Sequence, residues 1–215
     1  MTRTLRCVAG VCIVFAFQIH HAFADRIDGV TATTNMGTLA PPVSLTNTVN
    51  GVGLAALSLT AAHAGTLPTN SWVSTQGTVT GIVTFALGGT YQVDSFSFWN
   101  QNGGGPGANG STGIQGVQVL TSTDGTLFGL LPGGPSLFAQ VPSMGAPPQI
   151  FTFAPVTATH FRFNITSNYG DTNVTGFAEV GFNSVSAVPE PGTAGLLISG
   201  LIMGLLGTRS VRNHR

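Results

Sequence analysis

The sequence contains no lysine: all seven basic residues are arginines, and charged residues of both signs make up only 7% of its 215 positions. Without lysine there is no phosphate-loop ammonium and no amine to form a Schiff base. Five arginines (Arg3, Arg6, Arg209, Arg212, Arg215) lie at the two ends, so residues 25–188 hold only Arg26 and Arg162 against six carboxylates, Asp25, Asp28, Asp94, Asp124, Asp171 and Glu179. A mildly acidic stretch with no basic patch does not neutralise phosphates, which argues against nucleic acid as a partner. Cysteine is scarce too: Cys7 and Cys12 both precede Ala24. If the chain is cut after Ala24, the mature protein forms no internal disulfide and no thiolate metal site. Only His63 and His160 remain in that stretch, in no metal-spaced cluster or nucleophile motif, and no carboxylate pair has the spacing of a hydrolase. The chain reads as a non-enzyme.

What the sequence does have is patterned ends. Arg3 and Arg6 precede an apolar stretch at 7–17 that closes on Ala22-Phe23-Ala24, a small-x-small cleavage signature. As a helix that stretch would extend ~16 Å, about half of a ~30 Å hydrocarbon core, so residues 1–24 read as a signal peptide for the general secretory (Sec) machinery. At the other end, Pro189-Glu190-Pro191 leads into an apolar stretch, a transmembrane helix at about 192–208, and then Arg209, Arg212 and Arg215. Those arginines hold the C-terminus in the cytoplasm and place everything before Pro189 outside.

Pro-Glu-Pro, an apolar helix and an Arg-rich tail, in that order at the C-terminus, resemble the PEP-CTERM sorting signal of Gram-negative bacteria. The resemblance implies that an exosortase, an integral-membrane cysteine transpeptidase, recognises Pro189, Glu190 and Pro191 and removes the tail. The protein would thus be anchored in the inner membrane before processing, then released to the cell surface or extracellular matrix. The alternative is that Pro-Glu-Pro is a stiff, extended spacer before an ordinary tail anchor.

Between the ends, turn signals recur every 8 to 15 residues and the runs between them alternate with period 2. Val83, Phe85 and Leu87 share a face, as do Phe96 and Phe98, Val117 and Val119, and Phe151 and Phe153. Phe161, Phe163 and Ile165 oppose His160, Arg162 and Asn164, while Ala178, Val180 and Phe182 align in the last run. Residues 51–64 are the one stretch ambiguous between helix and loop. Ser122-Thr123-Asp124-Gly125 is a tight turn, and the Gly-rich 101–112 and Pro/Gly-rich 129–148 are long loops. The expected fold is all-β, a β-sandwich. The expected layout is signal peptide 1–24, sandwich 25–183, linker 184–188 and sorting signal 189–215.

The ordered series Ser71-Trp72-Val73-Ser74, Val83 through Gly89, Phe98-Trp99-Asn100, Ser122-Thr123-Asp124-Gly125, Ala158 through Phe163 and Glu179-Val180 resembles a coagulation-factor type C, or discoidin-like, domain. The closing strand departs from that pattern at Thr159-His160, and bridging cysteines are missing. The resemblance implies a galactose-binding-like jelly roll and non-catalytic binding of glycan or exopolysaccharide. His63 matches a position where some relatives hold a ligand or structural histidine. Trp72 and Trp99 are candidates for stacking on a sugar or for packing, and Asn100 and Asn102 for polar contacts. Relatives hold a structural Ca²⁺ through loop carbonyls and carboxylates, so calcium is the one cofactor the resemblance raises. The other reading is a structural matrix or biofilm protein acting through protein contacts.

Overall fold

The β-branched and aromatic residues that alternate in the sequence form eight strands: β1 (Ala24–Arg26), β2 (Thr31–Thr34), β3 (Trp72–Val73), β4 (Gly81–Asn100), β5 (Val117–Ser122), β6 (Gly129–Leu130), β7 (Gln149–Ile165) and β8 (Gly176–Val185). The computed structural model describes residues 24–103 and 108–185. The expected signal peptide, apart from Ala24, and the expected sorting motif, apolar segment and arginine tail lie outside the described residues. Within them, the only helical elements are short 3-10 turns at Leu45–Thr48 and Ala108–Gly110.

All strands join one antiparallel ladder in the order β1-β8-β4-β7-β5-β6, with β2 on β4 and β3 on β8. Two strands are longer than their sequence suggests. The separate runs at 81–87 and 94–99 are both β4, continuous through Gly88-Gly89, and the runs ending at Phe153 and beginning at His160 are both β7. Register irregularities interrupt their pairing between Ala86 and Tyr91 and between Val93 and Ser95, the second opposite Pro155. There β4 changes partners: its first part pairs with β2 and its second with β8. The ladder thereby forms a two-layer sandwich, the expected all-β jelly roll.

Inward-facing positions follow the irregularities. In β4 they shift from Val83, Phe85 and Leu87 to Phe96 and Phe98, all fully buried. In β8, Phe177 rather than Ala178 joins Val180 and Phe182 in the core, because the register slips opposite Trp99 and Asn100. The two layers meet in a continuous set of rings: Phe85 lies 5.0 Å from Phe163, Phe161 4.7 Å from Phe182, and Phe98 stacks on Phe138 at 3.9 Å.

The outer faces of the two layers differ. The ambiguous stretch 51–64 is a loop lying on the outer face of β4 and β8, where Ser97 Oγ donates to Leu59 O and Trp99 Nε1 to Ala61 O. Ser97, Trp99, Glu179 and Asn183 are consequently buried on a face that alternation alone assigns to solvent. Among the described residues, the outer face of β2, β4 and β7 in the other layer has no such cover.

Candidate functional site

The five side chains expected at a ligand site are all buried. Trp72 packs its ring 5.7 Å from Phe177, and its Nε1 donates to Gly37 O and Thr38 Oγ1. Trp99 lies under the 51–64 loop. Asn100, at the end of β4, donates to Ile114 O at 2.7 Å and Ala139 O at 3.0 Å, and its Oδ1 accepts from the Ile114 and Gln101 amides. Asn102 accepts from Thr66 N and donates to Ala64 O. These asparagines tie the long loops to the strand ends. The His63 ring sits between Ala64 O, 2.8 Å from Nδ1, and Val52 O, 3.2 Å from Nε2. Burial lowers its pKa, against the opposing pull of the carbonyls around it. Structure thus gathers His63 and Asn102 near Ala64, with Asn100 nearby in sequence, and gives none of the five an open face.

Open polar groups gather elsewhere, on the uncovered face of β2, β4 and β7. Cross-strand register aligns Thr33 with Thr84 and Thr84 with Arg162; one step along, Thr31 aligns with Ala86 and Ala86 with His160. Two adjoining depressions lie along these rows. One, of about 310 Å³, is lined by Thr33, Thr34, Asn35, Ile82, Thr84 and Arg162. The other, of about 270 Å³, replaces the Asn35 end with Thr31, Ala86, Gly125 and His160 while sharing Thr33, Thr84 and Arg162.

The hairpin joining β5 to β6 forms one wall. Ser122 Oγ accepts from the Asp124 and Gly125 amides, and Asp124 Oδ1 accepts from the Thr126 and Leu127 amides. Those backbone donors hold the Asp124 carboxyl well below the usual carboxylate range. Gly125, at φ +74°, lies against the His160 ring so closely that a Cβ would come within 2.7 Å of it. The turn delivers Phe128, whose ring centroid lies 3.5 Å from Arg162 Cζ. Arg162 Nε also donates to Thr84 Oγ1 at 3.1 Å, so a hydroxyl and an aromatic face both position the guanidinium. Arg162 was visible in the sequence as an outward residue alternating with core phenylalanines; Phe128 carried no such signal.

No three His, Cys, Asp or Glu side chains gather among the described residues. Asp94 Oδ1 accepts from Ser95 Oγ and Asn183 Nδ2, and Asp171 Oδ1 from the Asn173 and Val174 amides. Glu179, fully buried, meets a cation that the chain itself supplies: Arg26 Nη2 lies 2.6 Å from its Oε1. A divalent ion at that carboxylate would face the guanidinium at close range, a like-charge repulsion that calcium ligation does not tolerate.

No protein-family model matches the sequence, and no curated protein matches it. Solved structures do resemble it. The module CBM32-1 from a family 31 glycoside hydrolase of Clostridium perfringens aligns over 75% of this chain and 96% of its own, with a TM-score of 0.51 and 12% identity. A GH31 CBM32-2 bound to GalNAc aligns over 71% and 95%, with a TM-score of 0.51 and 12% identity. A truncated AlyQ with CBM32 and alginate lyase domains aligns over 79% of this chain but 36% of its own, at 0.51 and 16%. Of the Clostridium perfringens CpGH89 chain, this protein spans only 15%. At these identities the likeness establishes the fold, the jelly roll of such carbohydrate-binding modules.

Proposed function

We propose that this protein is an exported surface or matrix component whose sandwich binds glycan without catalysing its breakdown. The observation that carries the reading is the uncovered trough on β2, β4 and β7, where the guanidinium of Arg162, backed by the ring of Phe128, lies beside Thr31, Thr33 and Thr84. A fixed guanidinium among a small set of directed hydroxyls suits a sugar, whose rim of hydroxyls both donates and accepts. Neighbouring structures of the same fold are carbohydrate-binding modules, one of them bound to GalNAc, which supports the same reading. Neither histidine has a carboxylate partner among the described residues: His63 contacts carbonyls and His160 Nδ1 contacts Thr159 Oγ1.

The test is a glycan array probed with the full chain in mild detergent, followed by titration of the best binders. Saturable binding is expected, and Phe128→Ala is expected to weaken it about tenfold, because the Arg162 guanidinium loses the ring that holds it in place. Self-association with no sugar dependence, or affinity indifferent to Phe128→Ala, contradicts the proposal.

Export and sorting rest on the sequence of the two ends. On this reading the Sec machinery exports the chain, cleavage follows Ala24, and an exosortase processes it at Pro189-Glu190-Pro191. Mass spectrometry of the protein from its fractionated host is expected to find a C-terminus near the motif, in material outside the inner membrane. Replacing all three motif residues by alanine is expected to leave Arg215 attached and the protein in the membrane fraction. A natural chain still ending at Arg215 makes the tail a plain anchor and removes the exosortase.

A further inference from the structure

The trough contains one guanidinium, and the way it is held selects what it meets. The described residues include two arginines. Arg26 is closed against Glu179 inside the domain, whereas Arg162 lines both depressions of the trough. Arg162 is fixed along one edge, where Nε donates to Thr84 Oγ1, and across one face, where Cζ lies 3.5 Å from the Phe128 centroid. Its Nη1 and Nη2 have no hydrogen-bond acceptor among the described residues. A guanidinium held in this way presents paired N–H groups, a fork that matches the two oxygens of a carboxylate and offers a lone hydroxyl only part of its donors.

We propose that the trough reads an acidic sugar, a uronic acid residue of an extracellular polysaccharide, with its carboxylate on the free Nη1/Nη2 end of Arg162. The proposal rests on the glycan-binding reading above and adds the class of glycan. Thr84 contributes twice. Its oxygen accepts from Arg162 Nε, which leaves its O–H as a donor beside the anion, and Thr33 stands across from it on β2. Phe128 limits the ways the guanidinium can turn, so less side-chain entropy is lost on binding than for a free arginine. The nearest acid on the hairpin is Asp124, whose Oδ1 is turned onto the Ser122 hydroxyl and the Thr126 and Leu127 amides. Repulsion from the domain's other carboxylates is screened over roughly 8 Å at physiological salt.

The experiment pairs each acidic oligosaccharide with a version of itself that has lost only the charge. Oligomers of galacturonate, mannuronate and glucuronate are carboxyl-reduced to primary alcohols, and both forms are titrated into the full chain by calorimetry. At least one acidic oligomer is expected to bind about tenfold more tightly than its reduced form, as one charge-assisted bidentate contact implies. Arg162→Gln is expected to abolish that preference, and Arg162→Lys to restore part of it, since an ammonium keeps the charge and loses the fork. Circular dichroism and thermal unfolding check that both variants are folded. Equal affinity of the natural chain for acidic and reduced forms, or a preference that survives Arg162→Gln, overturns the acidic class while leaving glycan binding intact. Failure to bind either form or any neutral glycan overturns both.

Discussion

Arg26→Ala is expected to lower the free energy of unfolding by roughly 3–5 kcal/mol at neutral pH, the range for removing one partner of a buried ion pair. Arg26 Nη2 donates to Glu179 Oε1 at 2.6 Å and to Val49 O at 3.2 Å, and the Gly51 amide donates to the same Oε1 at 3.0 Å. One fully buried carboxylate thereby joins β1, the chain at 49–51 and β8. Burial pushes Glu179 up from its ordinary 4.5 to about 7, against the opposing pull of Arg26 and the Gly51 amide. A carboxyl raised in the folded state contributes stability that is complete below pH 4.5 and is lost as pH rises through 7. The natural chain should therefore be less stable at pH 8 than at pH 5. Alanine at position 26 removes the pull that favours the charged carboxylate, so the deficit should be largest at pH 8 and shrink at pH 5, where Glu179 is protonated. Urea unfolding of both proteins at the two pH values measures this. Adding Glu179→Gln to Arg26→Met should recover much of the loss, because no buried charge is then left alone. A deficit under about 1 kcal/mol at pH 8, or one that grows on acidification, contradicts the assignment.

The parts of this fold that were legible in the sequence are those decided by local alternation. Val83, Phe85 and Leu87 and Phe161, Phe163 and Ile165 face inward as their period demands. The continuity of β4 through Gly88-Gly89 and of β7 through Pro155 was not legible, because glycine and proline ordinarily end strands and here mark irregularities where the chain changes layers. The same slips moved Phe177 into the core in place of Ala178. Site residues followed a similar division. Outward placement of Arg162 followed from its alternation with phenylalanines. The burial of Asn100 and Asn102 did not, because it depends on partners far along the chain: Ile114 and Ala139 for Asn100, Thr66 for Asn102. Polar residues in long loops read as ligand contacts when they are in fact the pins of those loops. Phe128 was hidden for the opposite reason, since only the β5–β6 hairpin brings it over Arg162.

Phe96→Ala is expected to be the most damaging single truncation in the core, at roughly 3–5 kcal/mol. Phe96 follows the second irregularity of β4, where the strand has entered the other layer, and its ring is fully buried. It lies 5.1 Å from Phe151, 5.5 Å from Phe163, 6.2 Å from both Phe153 and Phe182, and 6.3 Å from Phe138. Those neighbours come from both ends of β7, from β8 and from the 131–148 loop, so no single element can move inward to fill the space. The cavity should persist rather than collapse, which places the cost at the upper part of the range. Ile150→Ala, on the neighbouring strand but 52% exposed, should stay within about 0.5 kcal/mol. The trough is floored by Ile82, Thr84 and Ala86, on the earlier part of the same strand. Below its lowered unfolding temperature, Phe96→Ala should accordingly bind glycan as the natural chain does, whereas Phe128→Ala should bind weakly and melt nearly normally. Calorimetric affinities and thermal melts of the two variants separate the packing of the sandwich from the chemistry of its outer face, and a Phe96→Ala protein that remains folded yet loses the sugar would place the binding site away from the trough.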